Sequence, residues 1–127
     1  MHAKLRIIAQ GMGAIFLLQG AGFLVVPDRA TGSLGMPLLD GLGRSTQLGD
    51  FAAFFLTLGA SILIGCRAGR RRALYFPAAL LGSAALCRTI AWAAQGADFA
   101  TLFIAAEVLG AALLLMLAGE RVGTQRL

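Results

Sequence analysis

The sequence predicts an all-α fold, an integral membrane four-helix bundle with both termini on the cytoplasmic side, and three observations predict it. Of 127 residues, 58% are apolar and only 13% are charged, whereas a soluble domain carries roughly 25% charged residues to face water. Four apolar stretches, at about residues 5–26, 47–66, 73–95 and 98–118, are each long enough to cross a hydrocarbon core about 30 Å thick. Lysine and arginine are also segregated. Lys4, Arg6, Arg67, Arg70, Arg71, Arg72, Arg121 and Arg126 fall on one side of the spans, and only Arg29 and Arg44 on the other. Basic residues gather on the cytoplasmic side of membrane helices. Eight against two therefore places the N-terminus, the Arg-rich turn and the C-terminus inside.

The first span begins after Lys4 and Arg6 and stops at Pro27-Asp28-Arg29. A cleaved signal peptide would have a shorter apolar core and a small-residue cleavage site after it. This run is about twenty residues long, carries Gln10 and Gln19, and no such site follows. It reads as a helix that stays. Residues 27–46 then form a long outer loop, in which Gly32, Gly35, Gly41 and Gly43 interrupt Leu34, Met36, Leu38, Leu39 and Leu42. Unstructured loops of this length are uncommon and often functional, so a short interfacial helix or a re-entrant flap over the outer mouth is expected. The second span runs from Gln47 to Cys66, the third follows the Arg-rich turn, and the fourth ends near Ala118. The tail from Gly119 to Leu127 reads as polar and frayed, and His2 as part of a disordered terminus. With no Gly/Ser/Pro linker, residues 1–127 read as one domain.

Several function classes fall away. The formal net charge of +5 does not indicate nucleic-acid binding, because the basic residues flank apolar runs without interleaved aromatics and suit lipid headgroups better. Cys66 and Cys87 stand at different membrane depths, the second about 22 Å along a helix from the Arg-rich turn, so no disulfide is expected. His2 is the sole histidine, which leaves no His-based metal site and no Ser-His pair. The run from Gly41 to Thr46 lacks the lysine and the preceding strand of a phosphate loop. No cofactor motif is present.

The informative residues are polar groups inside the spans, since each has an energetic cost there. Asp50, Arg88 and Glu107 stand out. An arginine at a helix centre costs about 2.5–3.5 kcal/mol on insertion scales, and a carboxylate partner offsets much of that. Arg88 lies two turns before the outer end of the third span, and helical rise places Glu107 and Gln19 at similar depths of roughly 13 and 10 Å from the outer side. Small residues surround Arg88 and Glu107. On the second span Asp50, Thr57 and Ser61 share a stripe. The expectation is a buried Asp50–Arg88–Glu107 cluster with Gln19 and Thr57 nearby. Trp92 reads first as part of an interfacial aromatic belt, and second as the wall of a ligand pocket. Two acids sharing one base leave a net negative site unless one is protonated or a cation joins it.

The segment Gly49-Asp50-Phe51-Ala52-Ala53-Phe54-Phe55, with Arg88 in an Ala-rich helix and Glu107 in the last one, resembles a bacterial family of small four-helix membrane proteins classed as a domain of unknown function. The likeness extends to the Pro27 loop and the Gly69-Arg70-Arg71 turn. It implies the bacterial inner membrane and brings no activity with it.

Three functional readings remain open. The cluster binds or transports a small cationic or amphipathic ligand, in which case Gly11, Gly13, Gly20 and Gly22 of the first span offer a close-packing face for a homo-oligomer. Alternatively the protein is a structural or accessory subunit of a membrane complex, and the charges fix helix register. An intramembrane acid–base enzyme such as an isomerase is the weakest reading, so the balance favours a protein without catalytic activity.

Overall fold

A computed structural model of the protein describes residues 2–120, which form five α-helices and one short 3-10 turn. They are α1 (His2–Val25), α2 (Pro27–Ser33), α3 (Gly41–Gly65), the 3-10 turn Arg71–Leu74, α4 (Tyr75–Gln95) and α5 (Thr101–Ala118). Four helices, namely α1, α3, the 3-10 turn continued by α4, and α5, are long and apolar enough to cross a membrane. The chain is accordingly a small multi-pass membrane protein of all-α architecture. We refer to its two ends as the α2 end and the Arg-rich end.

Residues 27–46 open with a short helix, one of the two forms expected there. Pro27 has no N–H to continue α1 and its ring suits a first helical turn, so the chain bends and restarts as α2. After α2 an extended stretch returns to α3, which starts at Gly41, six residues before the expected Gln47. That first turn and a half carries no apolar run, since Gly43, Arg44, Ser45 and Thr46 are not apolar. Gln47 is buried and holds the return stretch: its Oε1 accepts from the Leu39 amide at 3.0 Å, and its Nε2 donates to the Pro37 carbonyl at 3.0 Å.

The helices pair as two hairpins, α1 with α3 and α4 with α5. Glycines set the α1–α3 spacing. A Cβ on Gly59 would stand 2.6 Å from the Gly13 carbonyl oxygen, and one on Gly20 would stand 2.8 Å from the Leu56 amide nitrogen. Small residues admit this backbone approach, and dispersion then replaces a hydrophobic driving force that lipid does not supply. Gly13 and Gly20 are therefore consumed inside the chain, which corrects their expected use as an oligomer face. Gly11 faces open space, and a Cβ on Gly22 would meet Ala30 of α2 at an ordinary 3.7 Å.

The hairpins join chiefly in the half toward the Arg-rich end. Leu58, Ile62, Leu74, Leu81, Leu114 and Leu117 form a core there from α3, the 3-10 turn, α4 and α5. On α1, Met12 meets Gly110 of α5, where a Cβ would lie 3.2 Å from the Met12 sulfur. Toward the α2 end, Phe23, Ala30 and Ala52 form a separate small core of α1, α2 and α3 alone. The α4–α5 hairpin has no share in it, so the two hairpins diverge above the Leu58–Leu81 level.

The Arg-rich end is tied rather than frayed as far as Glu120. Glu120 Oε1 pairs with His2 Nδ1, and its Oε2 accepts from Arg71 Nη1 at 2.9 Å. His2 thus belongs to α1 and has a partner, contrary to the disordered terminus expected. Residues 121–127 of the expected frayed tail lie outside the described residues.

Candidate functional site

Between the diverging hairpins lies a cavity of about 780 Å³. Leu58 and Leu81, both buried, form its floor, and Phe16, Phe51, Phe54 and Phe55 form most of one wall. The opposite wall carries Arg88 of α4, with Phe103 and Glu107 of α5. Ser33 and Leu34, at the end of α2, border it at the α2 end.

Helix lengths explain why Arg88 and Glu107 meet. Arg88 is seven residues before the end of α4 and Glu107 six residues after the start of α5. At 1.5 Å per residue both lie about 10 Å from the α2 end. Gly96, at φ 71°, makes the left-handed C-cap that ends α4 and reverses the chain between them, a conformation open to glycine without steric cost. Arg88 Nε donates to Glu107 Oε1 at 2.7 Å, and the guanidinium lies over the Phe103 ring with Cζ 4.7 Å from its centroid. The side chain of Glu107 is 13% exposed and that of Arg88 35%. The second carboxylate oxygen, Oε2, is buried and has no hydrogen-bond donor among the described residues. Leaving such an acceptor unsatisfied costs about 1–3 kcal/mol, more when it is charged.

Asp50 corrects the expected three-member cluster. It borders the same cavity but is exposed and pairs with neither Arg88 nor Glu107, so no single buried charge cluster forms. The reason is helical phase. The inward face of α3 is centred on Phe51, Phe54, Phe55 and Leu58, roughly 80° around the helix from Asp50 at 100° per residue. Asp50 is left at the rim. Thr57, about 20° further in the wrong direction, is exposed and does not line the cavity. Charge at Asp50 drew the stripe in the sequence, whereas the phenylalanines at spacings of three and four mark the face that is buried.

Gln19 does border the cavity, but its amide is committed elsewhere: Nε2 donates to Ser33 Oγ at 3.0 Å and to the Ala30 carbonyl at 3.3 Å. It fastens α2 over α1. Trp92 stays outside the cavity lining, 49% exposed, with its ring edge-on to Phe99 at 5.1 Å. Among the described residues, no three His, Cys, Asp or Glu side chains gather as a metal site.

Comparison of the chain with protein-family models, curated proteins and solved structures returned no match. The family that the short motifs resemble is thus not identified, and what stands of that reading is the set of four long apolar helices.

Proposed function

We propose that this protein binds a small amphipathic molecule in the cavity between the hairpins, with a cationic or hydrogen-bond-donating head against Glu107 and an apolar body among the phenylalanines. The observation that carries the reading is Glu107, which lines a largely apolar, phenylalanine-rich cavity and whose buried oxygen Oε2 has no donor among the described residues. Ligand sites have this character, apolar walls with a few convergent polar groups that fix orientation. Asp50 at the rim adds a second negative charge, so the site with both acids ionised favours a cation. Arg88 holds Glu107 in place rather than contacting the ligand first. By the distribution of basic residues, the α2 end faces outward and the cavity takes its ligand from that side or from the outer leaflet of a bacterial inner membrane.

Trp92 is the sole tryptophan of the chain and lies one turn from Arg88 on α4. In nanodiscs, a brominated alkylammonium is expected to quench its fluorescence saturably, above the linear quenching given by the brominated alcohol of equal chain length. Glu107→Gln keeps an acceptor for Arg88 but replaces Oε2 by a donor, and is expected to weaken the saturable phase about tenfold. Equal curves for ammonium and alcohol, or an unchanged affinity in E107Q, reject the reading.

A second reading, an accessory subunit whose partner inserts a helix between the hairpins, is favoured by one observation. The α4–α5 hairpin takes no part in the apolar core at the α2 end. Such a partner would cover Ile15 of α1, which borders the cavity and is 65% exposed. A photo-crosslinker at position 15 that captures one defined membrane protein in cells, and that blocks the alkylammonium phase, decides for it.

A further inference from the structure

A second cavity, of about 380 Å³, lies at the Arg-rich end among the start of α1, the end of α3 and the end of α5. Arg6, Arg67 and Arg71 border it, above an apolar floor of buried Leu74 and Leu117. Glu120 is the acid in this wall, and both its oxygens are occupied, by His2 and by Arg71. Its side chain is 14% exposed, so it acts as a positioning group that fixes the Arg71 guanidinium. Arg6 and Arg67 have no carboxylate partner among the described residues. Three guanidiniums facing one carboxylate leave a net positive site.

An anion with several acceptor oxygens suits such a site, because a guanidinium presents a planar fork of donors that matches phosphate. The source of the phosphate follows from what adjoins the cavity. It lies at the common end of the membrane-spanning helices. Within the adjacent turns, Ile7, Ile8, Phe76 and Met116 are more than half exposed. A phosphate seated here on a lipid would leave its acyl chains along those apolar side chains. We infer that this cavity binds the phosphate group of an anionic phospholipid, at a defined site rather than by diffuse attraction. This inference is independent of the cavity at the α2 end.

The test is thermal unfolding of the protein purified in a nonionic detergent, titrated with phosphatidylglycerol, with phosphatidylcholine of the same chains, or with inorganic phosphate. Phosphatidylglycerol is expected to raise Tm saturably, and the other two to do so weakly. Arg6→Gln with Arg67→Gln is expected to shift the phosphatidylglycerol midpoint about tenfold. Arg70→Gln with Arg72→Gln removes the same charge outside this cavity and is expected to shift it less than about threefold. Each variant's midpoint without lipid reports whether it folds, and the single variants R6Q and R67Q serve if the double one does not. Equal shifts for both double variants, or no saturable rise with phosphatidylglycerol, overturn the inference. A rise with inorganic phosphate alone at the same arginines assigns the site to free phosphate and overturns the lipid assignment.

Discussion

Arg88 Nε meets only one oxygen of Glu107, at 2.7 Å, and leaves the other oxygen of that carboxylate buried without a donor among the described residues. The pair ties α4 to α5 at matched depth while keeping one acceptor unspent. Removing Arg88 alone strands a carboxylate in an apolar wall, whereas removing both charges removes the conflict. Arg88→Met is therefore expected to lower stability by about 3 kcal/mol, and Arg88→Met with Glu107→Leu to restore it to near the parent value. Thermal unfolding in detergent checks the pattern. If the double variant is as damaged as the single one, the pair is required for the fold and the accessory reading gains.

Two groups of glycines are expected to respond in opposite ways. Alanine at Gly59 or Gly20 puts a methyl group against the backbone of the neighbouring helix, at 2.6 or 2.8 Å, and should cost about 1–3 kcal/mol. At Gly11 or Gly49 a Cβ meets nothing within 4 Å, and alanine should be neutral or stabilising by up to about 1 kcal/mol through helix propensity. Equilibrium unfolding of the four single variants would refute the packing scheme if the two groups behaved alike.

Gln47 is expected to matter more than any other polar residue before Asp50. Gln47→Leu leaves the Leu39 amide and the Pro37 carbonyl without their partner, at about 1–3 kcal/mol. Hydrogen exchange should rise at residues 36–40 and remain unchanged in α4. Uniform exchange across the chain would show that the return stretch is held by something else.

Burial pushes the Cys66 thiol above its ordinary value, with Arg6 offsetting part of the shift. A raised folded-state value means that the neutral thiol is favoured by folding. Its contribution to stability is present below the usual thiol range near pH 8.5 and is lost as pH rises beyond it. Alkylation of Cys66 should therefore be slow at neutral pH and the alkaline loss of stability smaller in Cys66→Ala. Cys87 is exposed on the surface of α4, inside the span, and should react with a membrane-permeant maleimide first. Rapid labelling of Cys66 at pH 7 would contradict its burial.

Length and hydropathy sufficed for the four spans because crossing a hydrocarbon core constrains every residue of a long run, and the constraint is written locally. The third and fourth spans were legible nearly to the turn, and so was the depth match of Arg88 with Glu107, since rise per residue needs no tertiary information. The early start of α3 was not legible: Gly41–Thr46 carries no apolar run, and the burial of Gln47 depends on a stretch folded back from residues 36–39. Neither was the pairing of Glu120 with His2 and Arg71, which joins residues far apart in the chain.

By itself, then, the sequence determined the membrane class, the number of long helices and which polar groups share a depth. Only the tertiary structure decided which of those groups face one another. A helix fixes the angle between its own side chains, but the direction of its inward face is set by the partner it packs on. On α3 that partner is α1, approached through Gly13, Gly20 and Gly59. This packing turns Phe51, Phe54 and Phe55 inward, leaves Asp50 at the rim and gives Arg88 to Glu107 alone.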